Sequence, residues 1–236
     1  MLAREALALS DLSDGRFELG LGAGYARNEY ERAGIEFLPL AIRAAQLGES
    51  AAILRRLFSG ETVEVVGAYY SIQGETLPPS AHRVPLLIGG NSREVHEIAA
   101  ANADVVGLIG LSTRRGGRVV DMSDFGSAVL QRQTTTLGEL AGGRGSQLER
   151  HVLVQWHELT NDRQAAAERA AVGLDVSPET VLDSPYVLIG TPEEIAAQLR
   201  DHHRRFGIVR WTVFGDRPDL SPAKSLVPVL ALLGQS

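Results

Sequence analysis

The 236-residue chain contains no cysteine. Disulfides and thiolate-held metals are therefore excluded, and the redox compartment stays open. An excess of positive charge is also missing: 23 Lys and Arg against 29 Asp and Glu leave a net charge of −6. Nucleic-acid binding needs a concentrated basic surface, so no nucleic-acid partner is expected. No apolar run approaches the length of a membrane span. A secretory leader pattern is absent as well, because Arg4, Glu5 and Asp11 interrupt the opening segment and no small-residue cleavage site follows an apolar run. By default this reads as a cytoplasmic protein.

What is present is an ordinary globular composition, 44% hydrophobic and 22% charged, in a chain long enough for one domain with a large core. Leu2, Ala6, Leu9 and Ser13 recur at helical spacing, which predicts a helix over 2–13. Phe17, Leu19 and Leu21 alternate as in a strand. Residues 41–58 form an amphipathic helix. Val63, Val65, Tyr69, Tyr70 and Ile72 suggest a hairpin inserted near 60–80, too short to bury a core of its own; Tyr69 and Tyr70 read as its packing.

Pro85-Leu86-Leu87-Ile88 is a continuous apolar run, expected of a strand covered on both faces. Asn91 is placed to cap the next helix, with Glu94 as its capping-box partner, and that helix runs to about Asn102. A second buried strand spans 104–108. Residues 109–121 read as a mobile Gly/Arg-rich loop and 122–141 as a helix. A strand at 151–156 and a helix at 162–173 follow. Thr191-Pro192-Glu193-Glu194 opens a helix whose dipole is matched by acid at its start and by His202, His203, Arg204 and Arg205 near its end. A last strand covers 209–214 and a closing helix 222–233. Five strands, near 17, 86, 104, 152 and 209, alternate with helices. That order predicts a parallel α/β sheet, and five strands are too few to close an eight-stranded barrel.

Two glycine-rich turns are candidate sites. Gly20-Leu21-Gly22-Ala23-Gly24-Tyr25 fails as a dinucleotide fingerprint, since the third glycine is misplaced and no prompt helix is expected. It is either a plain strand end or a strand terminus opening on an active-site face. Ile88-Gly89-Gly90-Asn91-Ser92 exposes backbone N–H groups before a helix N-terminus. It is either an anion site suited to phosphate or a tight turn with a good cap. The histidines do not form a metal site: His151 and His157 lack further ligands at a suitable spacing, and adjacent His202 and His203 diverge on a helix. Arg114-Arg115-Gly116-Gly117-Arg118 is a solvated loop, or a contact for a ligand's acidic tail.

Four ordered segments carry a resemblance. Gly15 to Tyr25 with Asn28-Glu29, Pro85 to Gly90, Asp104 to Leu108, and Val187-Leu188-Ile189-Gly190-Thr191-Pro192-Glu193-Glu194-Ile195 together resemble the luciferase-like monooxygenase superfamily. The branch most similar uses the deazaflavin coenzyme F420. The resemblance implies a (β/α)8 TIM-barrel type fold, N-terminally truncated with about strands 4–8 present, forming a single domain over 1–236. It implies a homodimer that binds F420, or alternatively FMN, at the C-terminal ends of the strands. Gly22 and Gly24 would let the ring lie near the fourth strand. Asn28 would bind the cofactor's chain or phosphate, Gly89 and Gly90 the phosphate, and Val106, Gly107 and Leu108 would line the chain. In this family three strands precede the position of Met1 and carry the usual catalytic residues, so none is named here. The expected activity is hydride transfer or monooxygenation of a small organic substrate. The alternative is a catalytically impaired member that binds cofactor or a partner; an unrelated phosphate-ligand-binding α/β protein is the third reading.

Overall fold

The computed structural model describes residues 1–114, 119–214 and 222–234. The first elements in chain order are α1 (Leu2–Leu12), β1 (Leu19–Gly22), α2 (Arg27–Arg32), α3 (Leu40–Phe58), β2 (Val63–Val66), β3 (Ser71–Glu75), β4 (Leu86–Gly89), α4 (Arg93–Asn102) and β5 (Val105–Leu108). There follow β6 (Ser112–Arg114), β7 (Val119–Asp121), α5 (Ser127–Ala141), β8 (Glu149–Val154), β9 (Trp156–Leu159), α6 (Arg163–Leu174), α7 (Pro178–Asp183), β10 (Val187–Gly190), α8 (Pro192–Phe206), β11 (Ile208–Val213) and α9 (Pro222–Leu233). A short 3-10 turn, Gly142–Arg144, lies between α5 and β8.

The chain divides into two compact units. The first holds residues 1–107, Val119 and 137–148; the second holds 108–114, 120–136 and the described residues from 149 onward. In the first unit β4 runs parallel between β1 and β5. Leu19 pairs with Leu86 and Gly22 with Gly89, and on the other side Ile88 pairs with Val106 and Gly89 with Gly107. Side chains alternate along a strand. Leu19, Leu21 and Leu86 therefore share one side, where they pack with Ala3, Ala6 and Leu7 of α1 and with Ile53, Leu54 and Leu57 of α3. Gly20, Gly22, Leu87 and Gly89 take the opposite side.

The hairpin forms as expected, with β2 and β3 antiparallel. Val63 plugs it into the same core, and the Glu49 carboxylate of α3 accepts the Ala68 N–H at 3.1 Å and the Tyr70 N–H at 2.8 Å. Glu49 thus fixes the hairpin turn to the helix. In the second unit β8 pairs parallel with β11, and β9 parallel with β10. Val154, Leu188, Ile195, Ala196, Leu199 and Val229 form its core.

Several expectations need correction. The α4 cap is Ser92, not Asn91: its Oγ accepts the Val95 N–H at 3.3 Å, and Glu94 falls one position short of a capping-box partner. A helix does start soon after Gly24, since α2 begins at Arg27. Its six residues include no buried side chain, so no hydrophobic period marks it. The 109–121 segment carries β6 and β7, which pair in a two-stranded sheet; Arg115–Arg118 lie outside the described residues. The strand at 151–156 breaks at Gln155 into β8 and β9, and β10 is an additional parallel strand. Val187–Gly190 has only four residues and runs straight into a helix start, so its strand character shows only through its pairing with β9.

Candidate functional site

The C-terminal ends of β1, β4 and β5 lie side by side. Gly22 is in register with Gly89, and Gly89 with Gly107. In parallel α/β folds ligands sit against such strand ends. Neither Gly22 nor Gly89 is required by the backbone. A Cβ at Gly22 would come no closer than 3.5 Å to Gly89 O, and one at Gly89 no closer than 3.9 Å to its neighbours. Gly20 has open space. A strand glycine costs roughly 0.5–1 kcal/mol against alanine, so Gly20, Gly22 and Gly89 give up stability and leave their part of this sheet face without side chains.

The segment after β1 is held in place by α3. Arg43 Nε donates to Leu38 O at 2.8 Å, and Nη1 donates to Ala23 O at 2.6 Å and to Gly24 O. Its guanidinium lies 4.1 Å from the Phe37 ring centroid, and that of Arg27 lies 4.7 Å from it. Tyr30 meets the same ring edge-on at 5.1 Å. A side chain at Gly24 would collide with the Tyr30 ring. Asn28 sits exposed on α2, within this fixed segment. Sequence reasoning gave Arg43 no role. A signal was available: a basic residue in the first turn of a helix opposes the dipole and needs another reason to be there.

The turn from β4 into α4 is the second element. Gly90 has φ +152, which side-chain-bearing residues rarely adopt, and a Cβ there would meet Val95 Cγ1 at 3.0 Å. The Gly90 N–H donates to Gly107 O at 3.2 Å, and Gly90 O lies 3.1 Å from Nε2 of buried His96. The turn is thus fixed from both sides. The Glu94 carboxyl is held below the usual carboxylate range by its own backbone N–H, and next by the Ser92 hydroxyl.

Val106 and Leu108 are wholly buried on β5, so only their backbone is available to a ligand chain. Beyond Leu108, in the second unit, the Tyr186 ring covers Gly110 and stacks on Phe125 at 5.7 Å. Burial, and secondarily Asp124, push the Tyr186 phenol well above its ordinary pKa. Gln155 Nε2 donates to Ile109 O at 3.2 Å. His151 Nε2 lies 2.8 Å from Thr212 Oγ1. Among the described residues no group of three or more His, Asp or Glu is placed to hold a metal ion, and no helix is long and apolar enough to cross a membrane.

Known proteins are similar to this chain. An F420-dependent glucose-6-phosphate dehydrogenase from Microbacterium testaceum (strain StLB037) is 30% identical over 105 residues, 44% of this chain and 31% of that protein. The match thus spans about a third of the length of that relative. A solved F420-dependent secondary alcohol dehydrogenase in complex with an F420-acetone adduct is similar at a TM-score of 0.72 and 18% identity, over 97% of this chain and 74% of that one. A solved riboflavin lyase with modified FMN and riboflavin is similar at 0.72 and 13%, over 99% and 67%. These likenesses give the fold: α/β with parallel strands, of the TIM-barrel type. The profile of the luciferase-like monooxygenases matches residues 1–121, just over half of the chain, taking in β1, β4, β5 and the glycine row between them, and the chain belongs to the luciferase-like monooxygenase family.

Proposed function

We propose that this chain binds coenzyme F420, or alternatively FMN, across the C-terminal ends of β1, β4 and β5, and serves hydride transfer or monooxygenation of a small organic substrate. The observation that carries the reading is the register of Gly22, Gly89 and Gly107, with room at Gly22 and Gly89 for a side chain that the sequence withholds. A flat, polar-edged ring and its chain need such a backbone floor. Gly22 and Gly24 would border the ring, and Asn28 would meet the chain or phosphate. Gly89 and Gly90 would border the phosphate at the turn into α4, with the Gly90 N–H already given to Gly107 O and so not free to hold it. Val106, Gly107 and Leu108 would line the chain through their backbone. When bound, a deazaflavin or flavin supplies the hydride chemistry, and the protein's part is to place it and exclude water. The proposal includes a single luciferase-like domain over 1–236 with its inserted hairpin, a homodimer, and a cytoplasmic setting.

Titrating the purified 236-residue chain with F420 and with FMN, followed by ligand fluorescence, tests this. Saturable binding of either supports it, and no saturable change with either overturns it. A second reading, binding without turnover, is favoured by this sheet face itself: Gly20, Gly22, Leu87, Gly89, Val105 and Gly107 offer no side chain that can move a proton. Bound reduced cofactor that reoxidises no faster with candidate substrates than without them would favour that reading.

A further inference from the structure

We infer that the segment between β1 and α3 supplies the positive charge for a bound anionic group, through Arg27, whose position is set by the Phe37–Arg43 pair. This rests on the cofactor reading above and deepens it, by naming where the counter-charge comes from.

Two arginines flank one ring in this segment, at 4.7 Å for Arg27 and 4.1 Å for Arg43. They are used differently. Arg43 spends its donors on the carbonyls of Leu38, Ala23 and Gly24. Arg27 makes no hydrogen bond or ion pair with any described residue, although Glu29, Glu31 and Glu36 lie in the same segment. It is half-buried, three residues beyond Gly24. A guanidinium fixed by its stacking contact, with its planar fork of donors unspent, is suited to bidentate capture of a phosphate or carboxylate.

The other candidate source of positive charge is already engaged. At the start of α4 the Ser92 hydroxyl takes the Val95 N–H, and Arg93 Nε is paired with Glu97 Oε1 at 3.0 Å. The Gly90 N–H is committed to Gly107 O. The Glu94 carboxylate is folded onto its own N–H and the Ser92 hydroxyl, so this helix start brings a negative charge to the strand ends. An anion at the Gly22–Gly89 end therefore needs a cation from elsewhere. Arg27, half-buried on the segment that follows Gly22 and stacked on Phe37, is the side chain assigned to supply it.

The experiment compares wild type, Arg27→Met and Arg27→Lys. The probes are two ligand pairs that differ in the anionic chain: FMN against riboflavin, and F420 against its bare deazaflavin chromophore. Inorganic phosphate serves as competitor. We expect Arg27→Met to weaken the phosphate-bearing member of the pair that binds by about tenfold, and to leave the phosphate-free member and the melting temperature unchanged. Arg27→Lys should recover part of the loss, because it keeps the charge and loses the fork. Equal wild-type affinity for both members of a pair, together with weaker inorganic-phosphate binding by Arg27→Met, would keep the inference and assign the anion to the substrate. An unchanged affinity ratio within the pair and unchanged phosphate competition in Arg27→Met would overturn the inference alone. Wild type binding no member of either pair would overturn the cofactor reading, and the inference with it.

Discussion

The turn from β10 into α8 and the turn from β4 into α4 begin alike, with an isoleucine, a glycine in a glycine-only conformation (φ +140 at Gly190, +152 at Gly90) and a hydroxyl cap. They finish differently. At α8 the capping box is complete: Glu194 Oε2 accepts the Thr191 N–H at 2.8 Å and Thr191 Oγ1 accepts the Glu194 N–H at 3.3 Å. Pro192 at the first turn removes another donor. At α4 the acid sits one residue earlier, so Glu94 cannot close the box on the residue that caps. The first arrangement closes a helix start for stability. The second leaves an extra glycine and an incomplete box beside a row of bare strand ends, where a ligand is proposed to lie. The placement of the acid, the proline at the first turn and the length of the glycine turn together separate the structural turn from the candidate site.

The same two helices each bury a histidine, and the contrast carries the largest prediction. His96 on α4 has a carbonyl partner in Gly90. His202 on α8 is buried against Phe206, and its Nδ1 has no partner among the described residues. Burial, opposed by Asp201 and helped by Arg205, lowers the His202 pKa to about 4 from 6.5. Between those values the unfolded chain binds more protons than the folded one. Stability is therefore full above about pH 6.5 and falls as pH drops toward 4, by about 3 kcal/mol. Urea melts of wild type and His202→Leu across this window check it; a variant with the same pH slope as wild type would show that His202 is not the cause.

Alanine at the two turn glycines should separate the turns next. Gly190→Ala pushes a methyl to within 2.5 Å of Glu194 Oε2 and disturbs the box as well as the backbone. A loss of about 2–3 kcal/mol is expected. Gly90→Ala meets the Val95 side chain, at 3.0 Å from Cγ1, and should cost about 1–2 kcal/mol. Equal losses in denaturant titrations would remove the distinction. The smallest effect belongs to Glu94→Gln, which removes an exposed charge at the open turn. It should lower the melting temperature slightly, since the carboxylate is favoured at this helix start, and tighten inorganic-phosphate binding about two- to fivefold. Weaker phosphate binding in this variant would mean that the carboxylate is not in the way.

Much of the fold was legible where a local rule acts alone. The α8 start follows from Thr191-Pro192-Glu193-Glu194 and its end from Gly207, and α9 spans the residues expected. The five strands predicted near 17, 86, 104, 152 and 209 correspond to β1, β4, β5, β8 and β11. Elements set by pairing were not legible: β10 is defined by its register with β9, and β6 and β7 by each other. The α4 cap was misplaced by one residue because Asn91 and Ser92 can both cap, and only the helix register decides. At the candidate site the glycines could be read from sequence, but their alignment could not, because Gly22, Gly89 and Gly107 are far apart in the chain. Arg43 left only the signal of a basic residue in a helix's first turn, and Arg27 left none: the meaning of both lies in Phe37 between them.

The central claim is that the bare strand ends exist for a cofactor. Gly22→Leu tests it most directly, because the backbone there accepts a Cβ without a close contact. Fluorescence titration of wild type and Gly22→Leu with F420 and FMN should show a loss of at least about tenfold in the variant, as a bulky side chain occupies the surface, at an unchanged melting temperature. A variant that folds and binds as tightly as wild type would contradict the account.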